Sequence, residues 1–162
     1  MTLLGASIVF SSNVMASDLE TSASSHEDLE LTEKFLKPMK WTLHSDITDE
    51  QWDCLPTKAS LLDISEINSI SKVGLEKISM MTINTLNLSN LQLEDKDLEF
   101  LPHGLEKLFL NNTLIGGYGL KYLPETVKEI DISNTTVSIE ALKECLPNKN
   151  IKIIKNGELI VF

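Results

Sequence analysis

Apolar and polar positions alternate in short bursts that recur along most of the chain. Three segments align without gaps: Ile83-Asn-Thr-Leu86-Asn-Leu88-Ser-Asn90, Leu105-Glu-Lys-Leu108-Phe-Leu110-Asn-Asn112 and Val127-Lys-Glu-Ile130-Asp-Ile132-Ser-Asn134. Each lies 22 residues after the one before. The alternation within a burst is that of a strand with one buried face. Each burst is followed by an apolar residue (Leu93, Ile115, Val137) and then a Leu (Leu98, Leu120, Leu142). Residues 95–101, 118–123 and 139–146 carry apolar positions at helical spacing. Leu-Pro steps at Leu55-Pro56, Leu101-Pro102, Leu123-Pro124 and Leu146-Pro147 then stop the helix. Weaker copies flank the three: Leu62-Asp-Ile64 leads to Ile70, Leu75 and Ile78, and Trp41-Thr-Leu43 leads to Ile47, Trp52 and Leu55. Residues 151–154 start a sixth strand.

A strand–helix unit repeating every two dozen residues brings its strands together in parallel. One unit is too small to bury its own apolar edge, so the core comes from stacking. Thr113 and Thr135 fall where the chain leaves the strand, where a hydroxyl can satisfy a buried backbone group. The ends need closing. Ser25 followed by Asp28 resembles a capping box ahead of Leu29, Leu31, Phe35 and Leu36, which predicts a capping helix over 26–37. At the other end Asn156-Gly157 separates two apolar runs, which predicts a hairpin with a terminal strand over 159–162.

This pattern resembles that of leucine-rich-repeat proteins, whose signature Leu-x-x-Leu-x-Leu-x-x-(Asn/Cys/Thr)-x-Leu recurs every 20 to 29 residues. The resemblance spans residues 38–155. The copy running from Leu108 to Leu120 is similar to the Thr-containing subgroup of 22-residue repeats. Leu91 and Ile67 depart from it by placing an apolar residue where Thr113 and Thr135 stand. The resemblance implies an α/β solenoid, a short right-handed arc with a parallel sheet on its concave face and short helices on its convex face. It also implies a non-enzymatic protein-binding role. Five to six repeats are expected over 38–154, within a single domain over 26–162. Exported bacterial members of the family include host-directed effectors.

Composition narrows the partners. The 162 residues carry 24 acids against 14 bases, all Lys, for a net charge of −10. Such a chain is repelled by phosphate and lacks the Arg forks that read bases, so nucleic acid is an unexpected partner. Six acids, Asp18, Glu20, Glu27, Asp28, Glu30 and Glu33, precede the first base, Lys34. Residues 1–16 are uncharged. The apolar run 2–10 is too short to span a membrane, and Val14 and Ala16 fit signal-peptidase cleavage before Ser17. Residues 1–16 therefore read as an export signal and 17–25 as a flexible acidic leader. Export would deliver a secreted or periplasmic protein; without a working signal the expected location is the cytoplasm.

Catalytic chemistry is sparse. Cys54 and Cys145 occupy equivalent places four strands apart, roughly 19 Å at ~4.8 Å per strand, too far for a disulfide. Both are expected to be free, buried thiols. His26, His44 and His103 show no metal-ligand spacing, so no metal or other cofactor is expected. Gly116-Gly117-Tyr118-Gly119 lacks the pattern of a phosphate loop, and its glycines are expected to permit a tight turn. The Glu94-Asp95 pair reads as a solvated turn. The Asn-x-Ser/Thr triplets at Asn87, Asn111 and Asn134 read as by-products of the repeat.

What remains is a surface. The outward strand positions form columns: Thr42, Asp63, Asn87, Phe109, Asp131 and then Lys152; His44, Ser65, Ser89, Asn111 and Ser133; Ser45, Glu66, Asn90, Asn112 and Asn134. The Asn column reads as support for the bend out of the strand, ahead of a binding role. The candidate protein-binding face comprises Asp63, Asn87, Ser89, Lys107, Phe109, Asn111, Asp131 and Ser133, with Phe109 as an aromatic anchor. A monomer binding a protein partner is expected. The alternative is an assembly subunit that buries this face permanently in a larger complex.

Overall fold

Trp41, Leu62, Leu86, Leu108, Ile130 and Ile153 lie side by side, each opposite the next in the neighbouring strand. They belong to a computed structural model that describes residues 8–10, 40–146 and 150–160, the first three as backbone only. The expected capping helix over 26–37 and acidic leader over 17–25 lie outside the described residues.

Among the described residues, eight strands form one sheet in strict chain order. The six central strands are parallel: β2 (Lys40–Leu43), β3 (Lys58–Asp63), β4 (Thr82–Asn87), β5 (Lys107–Phe109), β6 (Glu129–Asp131) and β7 (Lys152–Lys155). An antiparallel strand closes each side. β8 (Glu158–Ile160) folds back on β7, and β1 (Ile8–Phe10), inside the run read as an export signal, pairs with β2. β8 begins one residue earlier than expected, and Val161 and Phe162 lie outside the described residues. The hairpin turn has Asn156 at φ 52° and Gly157 at φ 82°, the two positive angles a tight right-twisted hairpin demands.

A helix links each parallel strand to the next. These are α1 (Asp49–Trp52), α2 (Lys72–Ser79), two 3₁₀ helices (Asp95–Phe100 and Gly117–Tyr122) and α3 (Ile139–Cys145). Unit length sets helix length. The shortest unit, from Trp41 to Leu62, holds a four-residue helix, and the longest, from Leu62 to Leu86, holds eight residues. The two 22-residue units hold six-residue 3₁₀ helices, whose steeper rise spans the same layer with fewer residues. Leu101 and Leu123 then take the extended conformation that a following Pro imposes, ending each helix. Leu105 and Val127 re-enter the sheet by donating their N–H groups to the carbonyls of Pro102 and Pro124.

The core runs the length of the stack. Leu62, Ile64, Leu86, Leu88, Leu108, Leu110, Ile130 and Ile132 point from the strands to one side, where Ile78, Leu98, Leu120 and Leu142 from the helices meet them. All are buried to within a few per cent. Burial of that kind is worth about 1.5–3 kcal/mol per Leu or Ile side chain, and neighbouring units supply it.

Units are also pinned by polar contacts. Thr113 and Thr135 each donate a hydroxyl to the carbonyl three residues back, Leu110 and Ile132, at 2.7 Å, as expected from their place in the turn. Asp46 accepts from the backbone N–H groups of Asn68 and Ser69 in the following unit, and the Asn68 side chain also donates to it. These bonds hold its carboxyl below the ordinary aspartate range. Asp95 takes the N–H of Gly116 at 2.6 Å. It is half-buried and clasps the next unit, so the solvated-turn reading of Glu94-Asp95 is corrected for Asp95.

The glycine cluster is corrected too. Gly116 has φ −105°, and neither Gly117 nor Gly119 has a positive φ. Two of the glycines instead allow neighbouring units to touch: a Cβ on Gly117 would lie 2.3 Å from the Ala141 Cβ, and one on Gly119 2.8 Å from the Asp95 carboxylate. Cys54 is exposed, not buried as expected, because α1 ends at Trp52, which fills the core in its place. Cys145 is half-buried with Sγ 3.5 Å from the Gly117 carbonyl, and both thiols are free.

Candidate functional site

The side of the sheet away from the core carries the candidate residues in parallel rows. Directly paired positions share a face, so the register gives the rows without ambiguity. One reads Thr42, Asp63, Asn87, Phe109, Asp131 and Ile154. The next reads Lys40, Leu61, Thr85, Lys107, Glu129 and Lys152. Lys152 therefore leaves the central row where the sequence placed it. Ile153, not Ile154, is the buried equivalent of Ile130, which turns Ile154 outward beside Asp131.

Most of the expected contact residues are occupied with one another. Asp131 Oδ1 accepts from the Ser133 N–H at 2.9 Å and from its hydroxyl at 2.6 Å, and Oδ2 accepts from the Asn111 amide at 3.0 Å. Asp63 holds Ser65 in the same way, at 3.0 and 2.7 Å. Asn87 accepts from the Ser89 N–H at 3.1 Å, while the Ser89 hydroxyl, in a buried residue, lies 3.4 Å from Asn111 Oδ1. This repeated motif, an Asx residue gripping the residue two places on, turns the chain out of the strand. Asn87, Ser89, Asn111, Asp131 and Ser133 thus form a connected polar floor, with Asp63 and Ser65 as a separate pair at its N-terminal end.

Beyond that floor the Asn column completes the bend. Asn90, Asn112 and Asn134 all have positive φ, between 56° and 67°, a conformation Asn tolerates better than most residues. Their side chains form a ladder from unit to unit, and Asn156 continues it by accepting the N–H of Asn134 at 2.9 Å. The structural reading of this column agrees with its geometry.

Phe109, Lys107 and their neighbours differ. Phe109 is half-buried rather than fully exposed, yet it does not join the core cluster. Lys107 and Lys152 both reach Glu129, at 3.2 and 3.0 Å. The ammonium of Lys152 first, and that of Lys107 second, hold the Glu129 carboxyl below the ordinary glutamate range. At the other end of the sheet His44 pairs with Glu66 across one unit.

On the helix side, a cleft of about 430 Å³ opens between α2 and the first 3₁₀ helix, floored by Ile70, Leu75, Leu93 and Phe100. It lies where an eight-residue helix gives way to a six-residue one. The only hint in the sequence was the longer interval between Leu62 and Leu86. None of the candidate residues lines it. No group of three or more His, Cys, Asp or Glu side chains is placed to hold a metal ion among the described residues, and no helix there is long and apolar enough to cross a membrane. Comparison with known proteins finds no protein-family model that matches this chain and no curated protein that matches it.

Proposed function

We propose that this chain is a leucine-rich-repeat module that acts without catalysis, binding a protein partner on the outward face of its sheet. One observation carries the reading. A parallel sheet is ordinarily covered on both faces, whereas the helices here contribute their buried side chains to one core on one side. The three gapless sequence copies also fall on consecutive strands in register, which supports the family reading. On the other side, which no helix among the described residues covers, hydrogen bonds within the chain tie the polar groups beside Phe109, and a pre-organised face is the condition under which an aromatic anchor contributes most.

An affinity pull-down with the full chain, run beside Phe109→Ala, tests this. Loss of the specific partner in the variant supports the face as the binding surface. Retention of every specific partner contradicts it. Asp131→Lys is a poor companion, because it breaks three hydrogen bonds of the floor.

Export is part of the same proposal. Mass measurement of the exported protein is expected to give an N-terminus at Ser17, and any other start contradicts that cleavage site. Removal of residues 1–16 takes β1 from the edge of β2. The amides of Lys40–Leu43 are then expected to exchange faster in the processed form than in the full chain.

A further inference from the structure

The outward face is not uniform, and its C-terminal half has a chemistry of its own. The row that begins with Phe109 continues through Asp131 to Ile154 and, across the hairpin, to Leu159. Phe109 and Ile154 are half-buried without joining the core, and Leu159 is 58% exposed. Asp131 interrupts this apolar row with a charged carboxylate, whose oxygens are held down by three neutral donors within the chain. The result is an apolar stripe across four strands, about 14 Å long at ~4.8 Å per strand.

Along one side of the stripe runs the second feature. Lys107 stands two residues before Phe109 on β5, and Lys152 two residues before Ile154 on β7, so both share the face with the stripe. Between them sits the single carboxylate of Glu129. Its side chain is 18% exposed, whereas each lysine side chain is 51% exposed. Two exposed ammonium groups share one largely covered carboxylate, so the border of the stripe turns its positive groups outward, while the Asp131 carboxylate in the neighbouring row balances the second charge. The N-terminal half of the face has a single lysine and a single apolar residue, Lys40 and Leu61, in its border row, but no apolar stripe. Its central row, Thr42, Asp63 and Asn87, is polar throughout.

Resting on the binding role proposed above, we infer that the Phe109–Ile154–Leu159 stripe with its Lys107/Lys152 border is the recognition site, and that it takes an acidic, apolar segment of a partner protein. The stripe removes apolar side chains from water, and the shared lysines complement a carboxylate that the partner brings. A stretch of about four residues, at ~3.3 Å each, matches the length of the stripe.

The test is selection of displayed random twelve-residue peptides on the immobilised full chain, followed by fluorescence anisotropy with the enriched peptides. Enrichment of peptides that pair an acidic residue with apolar ones is expected. Their affinity is expected to fall at least tenfold with Phe109→Ser and with Leu159→Ser. The second variant alters a largely exposed side chain and keeps the test informative if the first unfolds. Lys107→Gln combined with Lys152→Gln is expected to weaken binding and flatten its salt dependence, while Thr42→Lys leaves it within twofold. Binding that responds to Thr42→Lys but not to the stripe variants overturns this inference and leaves the outward face as the binding surface. Binding indifferent to both sets overturns the two together. A basic or wholly polar enriched pool, or no enrichment, overturns the stated partner chemistry. A stripe-dependent dimer in sedimentation overturns it in favour of a second copy of this chain.

Discussion

The side-chain amide of Asn112 donates to Oδ1 of Asn90, 22 residues earlier, at 2.8 Å, and both residues hold a left-handed backbone. The same bond recurs from Asn134 to Asn112 at 2.9 Å. Two demands therefore meet at one position: a side chain that tolerates positive φ and an amide that can both donate and accept. Asn112→Ala is expected to destabilise by about 2–3 kcal/mol, from about 1–2 of left-handed strain and about 1 of lost hydrogen bonding. Asn112→Gly, which relieves the backbone but removes the ladder, is expected to cost only the hydrogen-bond part. Urea denaturation of the two variants checks the difference, and equal losses would contradict it.

Thr113 is 4% exposed and its hydroxyl satisfies the Leu110 carbonyl. Thr113→Val keeps the shape and leaves that carbonyl without its donor, an expected cost of about 1–3 kcal/mol. Thr135→Val makes the same change at a half-buried site and is expected to cost less, because water can reach the Ile132 carbonyl. Thermal unfolding of the pair gives the ordering.

Gly117 and Ala141 touch across neighbouring units. Gly117→Ala forces two methyl groups together and is expected to cost about 1–3 kcal/mol, the usual range for overpacking. Ala141→Gly in the same chain removes the obstructing methyl and is expected to recover part of that loss. A double-mutant cycle by denaturant unfolding reads the coupling, and independent, additive effects would show that the two units do not meet there.

Glu129 supplies a pH dependence. Its carboxyl titrates below the ordinary glutamate value because Lys152 and Lys107 hold its charged form. A carboxyl with a lowered folded-state pKa contributes stability that is fully present above the unfolded value and is lost as pH falls through the folded one. Stability is therefore expected to drop on acidification below the ordinary glutamate range. The drop is expected to be smaller in Glu129→Gln, which has no such proton to take up. Chemical denaturation as a function of pH compares the slopes, and identical acid limbs would contradict the role given to this residue.

The stacking order was legible in the sequence because the apolar bursts at Leu86, Leu108 and Ile130 share one interval and one internal pattern. Thr113, Thr135 and the Asn156-Gly157 turn were legible for a different reason: each residue type suits one backbone demand. What stayed hidden depended on contacts between units. Gly117 reads as a turn residue until Ala141 is seen against it, and Asp95 as a surface acid until it meets the Gly116 N–H. The candidate face was legible only as a set of outward positions. A shift in the last interval, from Ile130 to Ile153 rather than to Ile151, brought Ile154 into the row with Phe109. The hydrogen bonds of Asp131, which no spacing reveals, turned an apparent polar trough into a floor with an apolar stripe.

The most direct test of the whole account is a methyl nuclear Overhauser spectrum of the chain labelled at Leu and Ile. Adjacent layers predict cross-peaks from Leu86 to Leu108 and from Leu108 to Ile130. Leu86 and Ile130, two strands apart at about 9.6 Å, are predicted to show no direct cross-peak. A direct Leu86–Ile130 contact, or the absence of either neighbouring pair, would contradict the stacking on which the fold, the outward face and its proposed partner all depend.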